Sequence, residues 1–375
     1  MDNSLSVHIV SFSIPLPANF GGVIDVFYKL KTLHSAGVKI YLHCFQYDRQ
    51  PDHELEKYCV SVKYYRRNTG FASTLRLRPY IVQSRISPEL VEDLLQDDYP
   101  IIFEGLHCCY YLDDERLRNR LKIYRESNIE HEYYYHLFKS TNNIRKKTFY
   151  LIESLKLRLY QKQIRHADCI IAVSKSDTEY LQRKFPGNKV IYLPSFHGNS
   201  EVVSKEGRGD YILYHGNLSV EENVLAALYL IDCLGGLDIP FVIAGLNPDA
   251  LIVNAARKYS NIVIIDSPDD EKMHQLISDA QINILYTAQA TGLKLKLLNV
   301  LYRGRHVLVN SKMVSGTGLG EVCEIADTKE EMKAKIMQLF NTDFDRSKIE
   351  KRTAILSDLY DDVRNGEKLC EIIGK

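Results

Sequence analysis

"INILYTAQATGLKLKLLNVLYRGRHVLVN" (282–310) reads as a strand, a loop, a helix and a second strand. Both ends are short apolar runs, and a leucine-rich helical stretch lies between them, so the unit is βαβ with its two strands parallel. The loop closes on Thr291-Gly292 where the helix begins. Glycine lets the backbone approach a ligand closely, and the first N–H groups of a helix have no intrahelical partner. A phosphate placed there is held by those groups and by the helix dipole, with Lys294 adding a positive charge. Leu293, Leu295, Leu297, Leu298 and Leu301 read as core, with the lysines as the helix's solvated face.

The same rhythm extends in both directions. Upstream, YILYHGN (211–217), PFVIAG (240–245) and NIVIIDS (261–267) are strands separated by helices at 220–236, 248–260 and 271–280. Downstream come EVCEIA (321–326) and two charged helices. In the first half, VHIVSF (7–12), VKIYLHCF (38–45), PIIFEGL (100–106), LKIYRESN (121–128) and DCIIAVS (168–174) are strands. A helix at 23–37 closes on Gly37, and Ser176 to Glu179 spells a capping box. Continuous apolar strands alternating with helices predict an α/β fold with parallel sheets covered on both faces. The polar, aperiodic stretch at 194–210 reads as a linker between two doubly wound, Rossmann-like domains. Such sheets bind ligands beyond the carboxyl ends of their strands, so two of them facing each other make a cleft.

Composition limits what such a protein does. At 375 residues the chain suits two ordinary domains, and 45% hydrophobic with 26% charged residues is a globular mix. No apolar run is long enough to span a bilayer, and no signal pattern opens the chain. Eight cysteines without CxxC spacing point to reduced thiols in the cytoplasm and to no zinc site. Residues 1–195 carry 28 Lys and Arg against 22 Asp and Glu, while the whole chain balances at 48 and 48. The first half therefore faces something anionic. Nucleic acid is disfavoured, since no zinc-finger, RNP or basic-zipper pattern occurs. Seven Lys and Arg lie among apolar residues in 144–168, a pattern that suits peripheral contact with the anionic inner face of a membrane as well as a solvated helix.

ATGLKLKLLNVLYRGRHVL (290–308) resembles the signature of the GT-B glycosyltransferases, especially family 4, which runs roughly G-T-G-x-K-x-K-x-x-E-A-x-x-x-G-x-P-V-V. IPLPANFGG (14–22), YRESNIEHEYY (124–134), ADCIIAVSKSD (167–177) and YHGNLSVEEN (214–223) are similar to further family segments in the same order. The resemblance implies an acceptor domain at 1–195, joined by a C-terminal helix at about 355–375 that crosses back, and a donor domain at 196–354. It implies transfer of a hexosyl or N-acetylhexosaminyl group from a nucleotide-sugar to a glycan or lipid-linked acceptor, with retention, in bacterial polysaccharide or glycoconjugate biosynthesis. No cofactor and no metal are implied, because helix N–H groups and Lys294 can neutralise the leaving diphosphate. Donor binding falls to Gly216, Asn217, Thr291, Gly292, Leu293, Lys294 and Asn299. Asn299 replaces the usual ribose glutamate, Thr291 the first glutamate of its pair, and Asn217 and Glu222-Asn223 the usual phosphate-binding cations.

On the other side, Gly21 and Gly22 open the first helix, and Arg125, Asn128, Glu130 and His131 follow the strand at 121–128, where they suit cleft or acceptor recognition. His107, just past 100–106, and Glu130 are the candidate catalytic groups, able to orient the sugar or move a proton. Glu104 reads as a buried, hydrogen-bonded carboxylate. GTGLGE (316–321) reads as a turn, and Asp343-Phe344-Asp345 is set aside as a metal motif because it sits among helical residues. Two alternatives remain: a glycosyltransferase-like subunit that binds without turnover, and a nucleotide-sugar epimerase of the same fold.

Overall fold

A computed structural model describes residues 5–70, 73–74, 76–141, 143–289 and 294–374. They pack as two units, one of residues 5–198 with 360–374, the other of residues 199–289 with 294–359. The first holds a seven-stranded parallel sheet in the order β3-β2-β1-β4-β5-β6-β7. Its strands are β1 Ser6–Ser11, β2 Lys39–Gln46, β3 Ser61–Arg66, β4 Ile101–Glu104, β5 Lys122–Glu126, β6 Cys169–Ala172 and β7 Lys189–Tyr192. The second holds a six-stranded parallel sheet in the order β10-β9-β8-β11-β12-β13. Here the strands are β8 Ile212–His215, β9 Phe241–Gly245, β10 Ile262–Asp266, β11 Ile282–Leu285, β12 His306–Val309 and β13 Glu324–Ile325.

The central strands are buried on both faces, as parallel sheets between helices must be. Two strands escape the sequence pattern. β3 and β7 are sheet edges, half-buried along most of their length, so neither carries a continuous apolar run. The expected cap also moves by two residues. Helix Lys175–Lys184 is capped by Ser174, whose hydroxyl accepts from the Asp177 amide at 3.1 Å. Ser176 is therefore inside the helix, and the capping box belongs instead to Thr328 and Glu331 ahead of helix Lys329–Phe340. Three helices follow β13 rather than two, the last being Asp362–Ile373.

A buried ionic cluster fastens the first unit. Helix Gly21–Ser35 supplies Asp25 and Lys29, β4 supplies Glu104 and β5 supplies Arg125. Lys29 Nζ donates to Glu104 at 2.6 Å and to Asp25 at 3.2 Å. Arg125 donates to Asp25 at 3.1 Å and to the carbonyls of Leu193 and Pro194 at 2.9 and 2.8 Å. Asp25 also accepts from the Phe196 amide at 2.7 Å. Burial pushes its carboxyl up, but Arg125 and Lys29 outweigh that and hold it below the ordinary range. Every charge in the cluster has a partner, as buried charges require. The start of the predicted linker is thus pinned beneath β5. The last helix is held by Asp362, which accepts from the amides of His197 and Gly198 at 3.1 and 2.7 Å. Its Leu369, Ile372 and Ile373 join the core cluster that contains helix Gly21–Ser35.

Beside β1 runs a chain of hydrogen bonds. Asp97 meets His8 at 2.9 Å, His8 meets His43 at 2.8 Å, and His43 meets the Tyr65 hydroxyl at 2.7 Å. Burial, reinforced by His8, pushes His43 down to about 3. A histidine starts near 6.5 in the unfolded chain. Its neutral form therefore supports the fold fully above that value, and the support is lost as pH falls towards 3. We expect unfolding free energy to drop by up to about 1.4 kcal/mol per pH unit from this group alone between pH 6 and 4. Denaturant melts across that range check it, and His43→Gln should flatten the slope by about one proton. A slope that His43→Gln leaves unchanged would refute the assignment.

Candidate functional site

In each sheet the strand order reverses once, between β1 and β4 in the first unit and between β8 and β11 in the second. Loops leaving the carboxyl ends at such a switch point diverge and leave room for a ligand.

In the second unit the β8 loop begins at His215 and Gly216, and the β11 loop leads towards helix Leu295–Arg303. Thr291, Gly292 and Leu293 lie outside the described residues. Leu295, Leu297, Leu298 and Leu301 are buried, as their spacing predicts. Lys294, at the cap position, is half-buried with its Nζ 4.0 Å from Glu222. The lysine face is not solvated throughout, which corrects the sequence reading. Lys296 is half-buried, and its Nζ donates to the neutral Asn223 amide oxygen at 3.0 Å and stands 5.1 Å from the Tyr214 ring centroid. Burial pushes its ammonium down to about 8 against the pull of Glu222. Beside it, burial and the Lys296 charge push His215 down to about 3, and neither ring nitrogen has a hydrogen-bond partner among the described residues.

Glu222, in the helix that follows β8, has its charge held by its neighbours. Thr287 Oγ1 donates to it at 2.6 Å and Gln289 Nε2 at 2.7 Å. Burial pushes its carboxyl up, but Lys294 and these two bonds keep it below the usual carboxylate range. The positive charge at this switch point is therefore carried by positions 294 and 296, on the β11 side. Asn217 turns its side chain back on its own loop, accepting from the Ser219 amide and hydroxyl at 3.1 and 2.7 Å. A side chain at Gly216 would press on Asn223 at 3.2 Å, so glycine there keeps the Lys296 partner in place. Asn299 accepts from Asn199 at 3.2 Å. Lys296, Asn299 and Arg303 fall on one stripe of a helix otherwise buried around most of its circumference. That stripe was available in the sequence as the signal for Lys296.

In the first unit the β1 and β4 loops meet where the Phe12 ring lies tilted against His107, ring centroids 5.2 Å apart. A Cβ on Gly22 would lie 2.6 Å from the Phe12 ring, whereas one on Gly21 would meet nothing within 4 Å. Gly22 is therefore needed for packing and Gly21 borders open space. His107 is half-buried, its Nδ1 has no partner among the described residues, and burial with the Arg85 charge holds it well below the ordinary histidine value. Glu130 opens helix Glu130–Ser140, and burial pushes its carboxyl up to about 8 against the attraction of Arg85. Glu126, at the end of β5, is raised further by burial and by Glu130, and its Oε1 has no partner among the described residues. Arg85 and Glu126 were not singled out from the sequence, whereas Glu130 was.

Arg125 is the clear correction. Strand residues alternate between faces, so Tyr124 and Glu126 point one way and Arg125 the other. Its guanidinium serves Asp25 and two carbonyls inside the unit and is not open to an acceptor. Adjacent helix residues diverge likewise: Glu130 faces Arg85, whereas His131 faces the Tyr180 ring, centroids 6.1 Å apart. Asn128 is half-buried in the loop between them. Glu104 is buried and hydrogen-bonded, as expected. Asp343 is engaged by Arg208 at 2.5 Å and Asp345 by Ser347 at 2.6 Å, so both partners are structural.

Known structures share this architecture over nearly the whole chain. TarM of S. aureus, solved with Fondaparinux, α-GlcNAc-glycerol and UDP, superposes at a TM-score of 0.72 with 10% identity, covering 99% of this chain and 100% of its own. Sucrose-phosphate synthase from Thermosynechococcus elongatus superposes at 0.69 with 12% identity over 98% of both chains. HepE of Anabaena, solved with UDP and glucose, gives 0.65 with 10% identity over 98% of both. The chain has the GT-B fold. No family model matches this GT-B chain. In sequence it is 27% identical over 344 residues to an uncharacterized 44.6 kDa protein in the cps region of Klebsiella pneumoniae, covering 85% of this chain and 87% of that one. A fold alone does not assign chemistry, so the GT-B chain must be read from the residues at its two switch points.

Proposed function

We propose that the protein is a metal-independent glycosyltransferase that moves a hexosyl or N-acetylhexosaminyl group from a nucleotide-sugar to a glycan or lipid-linked acceptor, with retention, in polysaccharide or glycoconjugate biosynthesis. The observation that carries this reading is Lys296, a half-buried cation whose hydrogen-bond partner is neutral. Such a group costs stability unless an anion completes it. A nucleoside diphosphate does so, at the place where the β8 and β11 loops part. Lys294 adds a second charge, and together they offset the negative charge that builds on the leaving group. TarM and HepE were solved with UDP, and the cps-region relative fits a capsule-type pathway. Eight free cysteines support a cytoplasmic location, where nucleotide-sugars are made.

On the acceptor side, Glu130 with a value near 8 can hold or release a proton near neutral pH, with His107 orienting the sugar. The test is thermal unfolding with a panel of nucleoside diphosphates, followed by donor turnover. One nucleotide at about a hundred times its dissociation constant should add about 2.7 kcal/mol. Glu130→Gln should keep that shift and lower turnover by roughly a hundredfold or more. If no nucleotide shifts the melt, the donor site is not functional and the non-catalytic subunit replaces the enzyme.

A further inference from the structure

Helix Ile144–Tyr160 is amphipathic the wrong way round. Its buried face carries Glu153, Ser154 and Leu157. Glu153 is consumed internally, accepting from the Tyr80 amide at 2.6 Å and from Lys156 at 2.8 Å. The outward face carries Ile144, Ile152, Leu155 and Leu159, with Ile144 80% and Leu159 68% exposed. By helical geometry these four form one stripe, flanked by Arg145 and Lys156 on one side and by Lys147 and Arg158 on the other. At its carboxyl end a cavity of about 770 Å³ opens, lined by Arg76, Arg78, Lys156, Lys162 and Arg165, with no acidic residue among the described lining. Leu77, on the rim, is 95% exposed.

We infer that this face docks on an anionic membrane surface, with the aliphatic stripe in the headgroup layer and the basic cavity taking lipid phosphates. Three features favour this occupant. Aliphatic side chains at helical spacing between rows of Lys and Arg match a helix lying in the bilayer interface. A protein partner would favour aromatic residues and a lysine-poor patch. A soluble anionic glycan would use the cations and gain nothing from bare leucines. The inference extends the lipid-linked acceptor named above, yet it concerns the surface of the first unit and does not need turnover.

The test is flotation of the full chain, without donor, on vesicles of phosphatidylcholine alone or with one-third phosphatidylglycerol. Binding should require phosphatidylglycerol and fall steeply with salt. Lys162→Gln with Arg165→Gln should weaken it about thirtyfold, from about 1 kcal/mol per basic residue. Leu155→Ser with Leu159→Ser should weaken it roughly tenfold. Circular dichroism and melting of both variants confirm that they fold. Three results overturn the inference: no binding to anionic vesicles, binding indifferent to the leucine pair, or a leucine variant that changes only the oligomeric state. If a soluble polysulfated oligosaccharide competes fully while the leucine pair proves neutral, the cavity is a polyanion site and the membrane is excluded. Failed flotation beside a retained nucleotide shift would leave the transferase reading intact.

Discussion

Asp25→Ala should destabilise the first unit by about 3–5 kcal/mol, the range for removing one partner from a buried ion pair. For a unit of this size that lowers the melting temperature by roughly 10 °C. The reason lies in what Asp25 leaves behind. Arg125 is 1% exposed and Lys29 fully buried, so both charges stay in the interior when their shared carboxylate goes. Lys29 keeps Glu104, but Arg125 keeps only the carbonyls of Leu193 and Pro194, and the Phe196 amide loses its acceptor. Glu104→Gln should cost less, about 1–2 kcal/mol, because Lys29 retains Asp25 and the amide oxygen can still accept. Calorimetry on the two variants decides the point. A larger loss for Glu104→Gln would mean that Asp25 is not the hub.

Lys296→Met should produce opposite changes in stability and in binding. Replacing a partly desolvated ammonium by an apolar side chain of similar length removes a desolvation cost, so the melting temperature should hold or rise. Affinity for the nucleoside diphosphate should fall by about 2–4 kcal/mol, the loss when a buried charge-assisted contact is truncated. Lys294→Met should cost less, because that ammonium already leans on Glu222. Calorimetric titration of the three proteins with the nucleotide found by the melting panel measures both effects. Unchanged affinity in Lys296→Met would remove the ground for placing the diphosphate there.

The sequence and the structure agree where hydrophobicity alone sets the outcome. Within 7–12, 100–106 and 168–174 the strands are apolar runs buried on both faces, short and β-branched as parallel strands are. β3 and β7 were not legible because a sheet edge needs no unbroken apolar run. Ser174 and Ser176 offer the same cap chemistry two residues apart, and the backbone chooses between them. The site was less legible than the fold. Arg125 and Glu130 are near in sequence, but strand alternation sends Arg125 to the face opposite Glu126, into the cluster with Asp25. Lys296 was hidden for the converse reason. A lysine among leucines looks like a solvated face until the helix is known to be buried almost all round. Glu126 and Arg85 carry no motif, and only folding makes them neighbours of Glu130.

The return of the last helix to the first unit has a consequence for synthesis. Strands β1 to β7 leave the ribosome before a single residue of the second sheet. Yet Leu369, Ile372 and Ile373, which cover their share of that core, are translated more than a hundred and seventy residues after β7 ends. Until then the nascent chain carries an apolar flank beside helix Gly21–Ser35 with nothing over it, the kind of surface that chaperones hold. The first part to be made is the last to be finished.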